Sequence, residues 1–292
     1  MKFVDDFVPY EQISNFSELA LKLELDLEIS WLPEYLNISA WSENIPIAFW
    51  LTKILKPNTF VELGTHYAVS YMSFCQAVSK LSLSTNCFAV DTWKGDSQAG
   101  YYDSKVFDIV NKYNKLHYTH FSKLLRKTFD EARLDFEKNS IDLLHIDGLH
   151  TYDAVKHDYE TWIDTLSDKG VILFHDINVI NDEQNFGVWK FWQELRDSFP
   201  SFTLPIGPGL GILGVGKRFP SPLQFLFSAK GNEARNIQSI FGSNGLLIKS
   251  INDLILTKQR EEKLLNSFAW KIFKSLRAIG RLPSRFFSKK QQ

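Results

Sequence analysis

The sequence predicts an α/β fold built on a mostly parallel sheet. Short apolar runs that are typical of buried strands fall near residues 59–63, 87–91, 117–121, 141–146 and 170–175. The intervals between these runs are long enough for helices, and alternation of strand and helix favours parallel pairing with right-handed crossovers. Several of the runs end in an acidic or polar residue, at the edge where open α/β sheets bind their ligands.

Two helices are predicted before the first strand. Residues 15–27 can form a helix with Asn15 as its cap and Glu18 three residues later, as in a capping box. Residues 44–55 form an amphipathic pattern with Pro46 in the first turn. Because this second helix leads directly into the first strand, we expect it to lie near the mouth of a site.

The first strand and its turn are residues 59–71, TFVELGTHYAVSY. Glu62 lies within the end of the strand, and Gly64 permits a tight turn with close approach to a ligand. Ala68 stands where a dinucleotide-binding fingerprint would continue with glycine. The pattern therefore favours a ligand without a pyrophosphate.

The second strand and its end read CFAVDTWK, residues 87–94. A carboxylate at the tip of this strand, Asp91, can accept both hydroxyl hydrogens of a ribose. Trp93 offers a flat apolar face for a purine ring. The alternative is that Asp91 only caps a turn and Trp93 belongs to the core.

The strand at residues 141–146 ends in Asp147, with His150 three positions later, and the run GVILF at 170–174 ends in His175 and Asp176. Paired carboxylates and imidazoles at neighbouring strand ends can hold a metal ion and accept a proton. Aspartate also begins turns and caps helices, which is the structural alternative for each pair.

The last part of the chain changes character. GVWKFWQELRDSF predicts a helix, and residues 202–204 and 211–215 predict a closing hairpin. Residues 251–292 contain ten Lys or Arg and three Asp or Glu, with apolar residues at helical spacing from Leu265 to Ile279. Such a basic amphipathic helix can lie on an anionic membrane surface, dock on a partner protein or pack on its own core.

Taken together, these motifs resemble class I S-adenosylmethionine-dependent methyltransferases, which have a Rossmann-like sheet with an antiparallel edge hairpin. The chain is most similar to the metal-dependent sugar O-methyltransferase type, the group of macrocin O-methyltransferase and cephalosporin-hydroxylase-like proteins. The resemblance runs from about residue 39 to 217. Its most specific part is HIDGLHTYDAVKHD, then GVILFHD, then FGVWKFWQEL.

The resemblance implies site residues and cofactors. It implies S-adenosylmethionine, a divalent metal ion with Mg²⁺ expected, and His150 as the general base. The implied cofactor contacts are Glu62, Gly64 and Asp91. We add Thr65, Thr92 and Trp93, which lie beside them in the sequence, as further candidate contacts. The implied metal ligands are Asp147 and Asp176, and we add the adjacent His175 as a candidate third ligand.

One position departs from the macrolide-type relatives, which carry Glu before the last metal-binding Asp where this chain has His175. Imidazole is a poorer partner for Mg²⁺ than carboxylate. His175 therefore either binds a softer ion or points away from the metal.

The resemblance implies methylation of a sugar hydroxyl in bacterial surface-polysaccharide or glycan biosynthesis. Two alternatives stay open. One is a small aromatic or antibiotic acceptor, held in an apolar pocket built by residues 1–55 and 94–125. The other is a non-catalytic module of a glycan-assembly complex that binds a glycosyltransferase or other partner through its basic tail.

Composition bounds the remaining expectations. The 292 residues can form one large domain plus an appendage, which we divide into a leader (1–38), a methyltransferase domain (39–217) and a basic, partly helical extension (218–292). A net charge of −1 gives no signature of nucleic-acid binding. Two cysteines and no apolar signal-peptide core predict a reducing, cytoplasmic location, with the tail able to reach the inner membrane face.

Overall fold

The computed structural model describes residue 13 and residues 15–278. The strands are β1 (Thr59–Leu63), β2 (Asn86–Val90), β3 (Gly95–Asp96), β4 (Gly100–Tyr101), β5 (Ser122–Leu125), β6 (Ile141–Ile146), β7 (Leu166–His175), β8 (Ser201–Leu204) and β9 (Leu210–Gly214). The helices are α1 (Phe16–Lys22), α2 (Ile45–Leu55), α3 (Val69–Lys80), α4 (Lys105–His117), α5 (Phe129–Arg133), α6 (Tyr152–Trp162), α7 (Val188–Arg196), α8 (Ser221–Ser228), α9 (Gly231–Asn266) and α10 (Phe268–Ala278).

Seven strands form one mixed sheet in the order β5-β2-β1-β6-β7-β9-β8. The first five of these pair in parallel, and β9 and β8 add an antiparallel edge. The short β3 and β4 form a separate hairpin. The predicted α/β class and its antiparallel edge are therefore confirmed.

Central strands of this sheet are covered by helices on both faces. All six residues of β6 are buried, and so are residues 171–175 of β7, which explains why these strands read as continuous rather than alternating apolar runs. One core cluster includes Trp50 and Phe241, and the other includes Trp162 and Phe174. The rigid layer between them fixes the positions of the strand ends.

The strand predicted at residues 117–121 is wrong, because the strand begins only after these residues. Helix α4 continues to His117, the backbone N–H of Ser122 donates to the carbonyl of Tyr118, and the strand that pairs with β2 is Ser122–Leu125. The aromatic run HYTHF resembles a strand in composition, but its residues form the turn after the helix. Tertiary pairing with β2 decides which short segment is extended.

Helix α1 is also shorter than the predicted span of 15–27. Asn15 precedes it in the left-handed region with φ of 71°, and its side chain makes no capping hydrogen bond. Glu24 is in the left-handed region with φ of 50°, just after the helix, so the chain turns there instead of continuing.

The chain divides into two compact units, with the boundary between residues 249 and 250. Leu223 of α8 and Ile237 and Phe241 of α9 are buried within the core of the first unit. The predicted extension therefore does not begin as a separate part at 218. The second unit contains the rest of α9 and α10, and the predicted helical residue Ile279 lies outside the described residues.

None of the helices in the described part of the chain is both long enough and apolar enough to cross a membrane.

Candidate active site

A cavity of about 370 Å³ opens at the carboxyl edge of the parallel strands. Its walls come from the turns that follow β1, β2, β6 and β7, from the loop before α2 and from the start of α5. A cavity of this size at this edge is the usual position of a ligand site in an α/β sheet.

Gly64 forms the turn after β1 and has a φ of 87°. A Cβ atom at this position would lie 2.1 Å from the carbonyl oxygen of Asp147. The sequence pattern predicts that this glycine allows close approach of a ligand. In the structure, the close approach is made by the backbone at the end of β6, so the glycine sets the spacing between two parts of the site.

Asp91 closes the same turn through its carboxylate. Its Oδ2 accepts the backbone N–H groups of Thr65 and His66 at 2.9 and 2.8 Å, and its Oδ1 accepts that of Trp93 at 2.6 Å. Asp91 also lines the cavity. The residue therefore acts as a turn anchor, as the alternative interpretation held, and still presents its carboxylate at the cavity where a ribose contact was predicted.

Thr65 and Thr92 line the cavity as predicted contacts should. The hydroxyl of Thr65 is buried and has no hydrogen-bond partner among the described residues. A buried polar atom without a partner costs free energy unless a ligand satisfies it. This hydroxyl therefore fits a polar group of a bound cofactor.

Trp93 does not lie where the purine-platform prediction requires. Its side chain is 1% exposed, its Nε1–H donates to the carbonyl of His66 at 3.0 Å, and its ring packs edge-on against Phe107. Trp93 is absent from the cavity wall, whereas Tyr102 and Phe129 contribute rings to it. The alternative, that Trp93 belongs to the core, is the one that the structure supports.

Glu62 is fully buried and is not part of the cavity wall. Its Oε2 lies 2.9 Å from Nδ1 of His145, and Nε2 of His145 lies 3.2 Å from the indole Nε1 of Trp41. An indole N–H can only donate, so Nε2 accepts and Nδ1 carries the proton that is donated to Glu62. Burial raises the pKa of Glu62, and the hydrogen bond with His145 opposes that rise.

These buried hydrogen bonds connect β1 and β6 to the cavity, because Trp41 forms part of the cavity wall. Direct contact of Glu62 with the cofactor does not fit its burial. Glu62 instead fixes His145, which in turn fixes Trp41. Trp41 and His145 were missed in the sequence, since a contact between residues 104 positions apart leaves no local pattern.

The predicted acid–imidazole pairs meet at the ends of β6 and β7. His175 Nδ1 lies 3.2 Å from Asp147 Oδ1 and 2.9 Å from Asp176 Oδ2. His150 Nε2 lies 2.9 Å from Asp176 Oδ2 and 3.5 Å from Asp147 Oδ1. Two carboxylates therefore lie between two imidazoles.

The charges in this group are strongly coupled. Burial opposes ionisation of both carboxylates, but the adjacent His175 and hydrogen bonds from both imidazoles hold the pKa of Asp147 well below its usual range and that of Asp176 at about 2. Burial likewise opposes protonation of His150, but Asp147 and Asp176 raise its pKa to about 9. The same two carboxylates raise the pKa of His175 well above its usual value.

His150 is held in one orientation by its neighbours. Its backbone N–H donates to Oε1 of Gln98 at 2.8 Å, and its Nδ1 lies 3.1 Å from the same oxygen. Its ring stacks on Phe186 with 4.9 Å between centroids and 4° between planes. Nε2 is therefore the nitrogen that faces the carboxylates. Gln98, from the β3–β4 hairpin, gave no signal in the sequence.

Four non-glycine residues at this edge of the sheet have a strained backbone. His66, Ala68, Trp93 and Asp176 all have φ between 48° and 62° although none is glycine. Each such conformation costs on the order of 1–3 kcal/mol and persists only where the surrounding structure enforces it. Strained residues of this kind cluster at functional sites.

The donor set fits a divalent cation. Asp147, His175 and Asp176 each offer one ligand atom, and these atoms lie within 4.8 Å of one another. His150 is not a member of that group. The structure thus brings together the three residues predicted as metal ligands and leaves the predicted base beside them, while the roles of all four stay predictions.

Comparison with known proteins gives one family match. Residues 61–177 match the model of a family described as a methyltransferase domain. The uncharacterized protein y4gI of Sinorhizobium fredii (strain NBRC 101917 / NGR234) is 50% identical over 185 residues, which are 63% of this chain and 20% of that protein. The chain therefore spans about a fifth of the length of this relative.

Solved structures show weaker likeness. The S-adenosylhomocysteine-bound methyltransferase PaMTH1 of Podospora anserina is 13% identical with a TM-score of 0.46, covering 72% of this chain and 99% of that one. The O-methyltransferase TomG of Streptomyces achromogenes, solved with S-adenosylmethionine, is 11% identical with a TM-score of 0.45, covering 72% and 92%.

The family match begins within β1 and ends just after β7, so it includes the turns after β1, β2, β6 and β7 that line the cavity, but not the loop before α2. The strand order of the sheet, with its antiparallel edge, is the order found in class I methyltransferases. Residues 61–177 of this chain therefore match a methyltransferase domain, and the sheet that contains them has the fold typical of class I methyltransferases.

Proposed function

We propose that the chain is an O-methyltransferase that acts on a sugar hydroxyl in bacterial surface-polysaccharide or glycan biosynthesis, with help from a divalent ion. The observation that carries this proposal is the position of His150. Its Nε2 lies beside two carboxylates at the mouth of the cavity, 2.9 Å from the nearer one, while its other nitrogen is engaged by Gln98.

The methyl donor would be held at the turn after β1. Thr65 offers its unpartnered hydroxyl there, and Asp91 presents its carboxylate while anchoring the turn. S-adenosylmethionine supplies an electrophilic methyl group on a sulfonium sulfur. The buried hydrogen bonds from Glu62 through His145 to Trp41 would support this wall of the cavity and would not contact the methyl donor.

The acceptor hydroxyl needs activation because an alcohol is a weak nucleophile at neutral pH. Asp147, His175 and Asp176 would hold a divalent ion, which would favour the alkoxide form of the hydroxyl. A sugar supplies vicinal hydroxyl pairs that suit such a site, which supports this acceptor class.

His150 would accept the hydroxyl proton at Nε2. With a pKa of about 9, it is protonated at neutral pH as long as both carboxylates keep their full negative charge. A cation on Asp147 and Asp176 would neutralise that charge and lower the pKa of His150 toward the range in which it can act as a base. The base and the ion are therefore parts of one arrangement.

Two measurements test the proposal. Thermal shift and calorimetry with S-adenosylmethionine should show binding, because a ligand of the native state stabilises it by mass action. Transfer of a labelled methyl group should then be assayed on nucleotide sugars, polysaccharide fragments and small aromatic acceptors. Transfer only to the aromatic acceptors would reject the sugar assignment, and no donor binding would reject the enzyme.

The ion requirement is tested by chelation. Activity should vanish with a chelator and return with a divalent ion, while donor binding changes little. Asp147→Ala and Asp176→Ala should abolish transfer. Full activity in the chelated parent enzyme would leave His150 as an unaided base and remove the ion from the mechanism.

A further inference from the structure

The ligand atoms of Asp147, His175 and Asp176 lie within 4.8 Å of one another, which is close enough for all three to contact one ion. Nδ1 of His175 lies 3.2 Å from Asp147 Oδ1 and 2.9 Å from Asp176 Oδ2. Ligand atoms about 2.1 Å from a cation, at angles between 90° and the tetrahedral value, are separated by roughly 3.0–3.4 Å. His175 therefore points toward the group, not away from it.

Each of the three ligands is fixed by the sheet. The backbone N–H of Asp147 donates to the carbonyl of Leu63 at 2.9 Å. His175 is the last residue of β7, is 3% exposed and pairs with Leu210 of β9. Asp176 follows in the left-handed region with φ of 61°. Ligands on rigid, preorganised elements impose their own chemistry on the ion.

An imidazole in this set discriminates between ions. Mg²⁺ prefers oxygen ligands in octahedral geometry and is bound mainly by carboxylates and water. Imidazole nitrogen suits zinc and other first-row transition ions, whose affinity for nitrogen-containing sites exceeds that of Mg²⁺. His150 Nε2 also lies 2.9 Å from Asp176 Oδ2 and 3.5 Å from Asp147 Oδ1, but only Asp147, His175 and Asp176 place their ligand atoms within 4.8 Å of one another, so we assign the nitrogen ligand to His175.

We propose that Asp147, His175 and Asp176 form a nitrogen–oxygen–oxygen site that takes a first-row transition ion with high affinity for nitrogen, such as Co²⁺ or Zn²⁺, in preference to Mg²⁺, and that His175 is the residue that sets this preference. The proposal deepens the function proposed above and rests on the same site. It replaces the expectation of Mg²⁺ that came from the sequence.

The test uses the full chain after chelation and dialysis. MgCl₂, MnCl₂, CoCl₂ and ZnCl₂ are titrated separately, with binding followed by calorimetry and melting temperature. Co²⁺ adds a visible absorption spectrum that reports nitrogen ligation directly. We expect Co²⁺ and Zn²⁺ to bind at concentrations at least about 100-fold lower than Mg²⁺, with Mn²⁺ between these two ions and Mg²⁺.

His175→Glu should narrow that ratio by at least about tenfold and change the Co²⁺ spectrum, since it replaces the nitrogen ligand with an oxygen ligand. His175→Gln provides a second variant without the imidazole or a new charge. His157→Gln is the matched control, because His157 is an exposed imidazole that pairs with Asp130 at 2.9 Å. This control should leave the ion series unchanged.

Three binding results would overturn the proposal: Mg²⁺ binding as tightly as Co²⁺ and Zn²⁺, no ion binding to the parent chain, or an unchanged ratio of ion affinities in folded His175 variants. The parent series stands even if the variants do not fold. Methyl transfer that is half-activated at equal concentrations of Mg²⁺ and Co²⁺ would also reject the ion preference, and it would leave the proposed methyl transfer intact.

Discussion

Asp91 combines two roles at one side chain, and its replacement should separate them. Asp91→Ala removes the acceptor for three backbone N–H groups as well as the carboxylate offered to the cofactor. We expect the binding free energy of S-adenosylmethionine to weaken by roughly 2–4 kcal/mol. This range takes charge-assisted hydrogen bonds at about 1.5–3 kcal/mol each and assumes that their losses are only partly additive. Calorimetry with S-adenosylmethionine measures this loss.

Asp91→Asn retains one oxygen acceptor for the turn, so its melting temperature should lie closer to the parent than that of Asp91→Ala. Asp103→Ala is the control, because Asp103 is an exposed carboxylate that pairs with Lys105. Unchanged donor affinity in Asp91→Ala would show that the cofactor is held elsewhere.

Replacement of His150 should lower turnover far more than replacement of Gln98, the residue that orients its ring. His150→Ala is expected to lower turnover by roughly 10²–10⁴, the usual range for a general base, with little change in donor affinity. Gln98→Leu should lower turnover less, because it removes only the group that orients the ring. If Gln98 acts through His150, the double variant should be no slower than His150→Ala alone.

The single and double variants are compared by their steady-state rates of methyl transfer to the acceptor found among the sugars, polysaccharide fragments and aromatic compounds tested. A His150→Gln enzyme that keeps turnover within about threefold of the parent would reject the base assignment, since that loss is far below the general-base range. A double variant that is much slower than His150→Ala would give Gln98 a separate structural role.

At the level of elements, helix α6 carries a carboxylate at an unfavourable position. Asp158 is 7% exposed, and burial raises its pKa to about 7. The unfolded chain therefore loses this proton at lower pH than the folded chain, so stability falls as pH rises from about 4 to about 7 and is constant above. The full penalty is at most about 4 kcal/mol for a shift of about three pH units.

Asp158→Asn lacks this titration. Its free energy of unfolding should match the parent more closely near pH 4 and exceed it increasingly up to pH 7, as measured by denaturant melts across that range. His157→Gln again serves as the neighbouring control on the exposed side of the helix. Parallel stability curves for parent and Asp158→Asn would show that Asp158 is solvated.

Elements with a strong periodic or continuous apolar pattern could be predicted from the sequence, and those defined by pairing could not. Helix α2 and strands β1 and β6 lie within a residue of their predicted bounds, because their burial is written into their composition. Strand β5, SKLL, is polar at its start and becomes a strand only by pairing with β2. The polar residues at strand ends were predictable, but Trp41 and His145 depend on contacts that only the folded chain creates.

At the level of the whole molecule, residues 250–292 should be removable. The unit that ends at 249 contains the complete sheet and both buried clusters, so the truncated chain should keep its cooperative melting transition. The removed part carries ten of the basic residues and a net charge of +7 over 251–292. Its loss should reduce association with anionic vesicles.

Sedimentation with anionic vesicles measures that association, and neutral vesicles are the control. Binding of the full chain should weaken with added salt, since exposed charges are screened over about 10 Å at 0.1 M. Equal vesicle binding by both chains would remove the membrane proposal. Aggregation of the truncated chain would assign the segment a packing role instead.

The backbone contact between Gly64 and Asp147 has a thermodynamic consequence. A Cβ at position 64 would lie 2.1 Å from the Asp147 carbonyl oxygen, so the turn at the proposed methyl-donor position and the strand end at the proposed ion position cannot shift independently. Occupation of either position should then alter the affinity of the other, and linkage requires the two factors to be equal. Loss of the methyl donor would therefore change the affinity of the protein for the proposed ion, and loss of the ion would change its affinity for the methyl donor by the same factor.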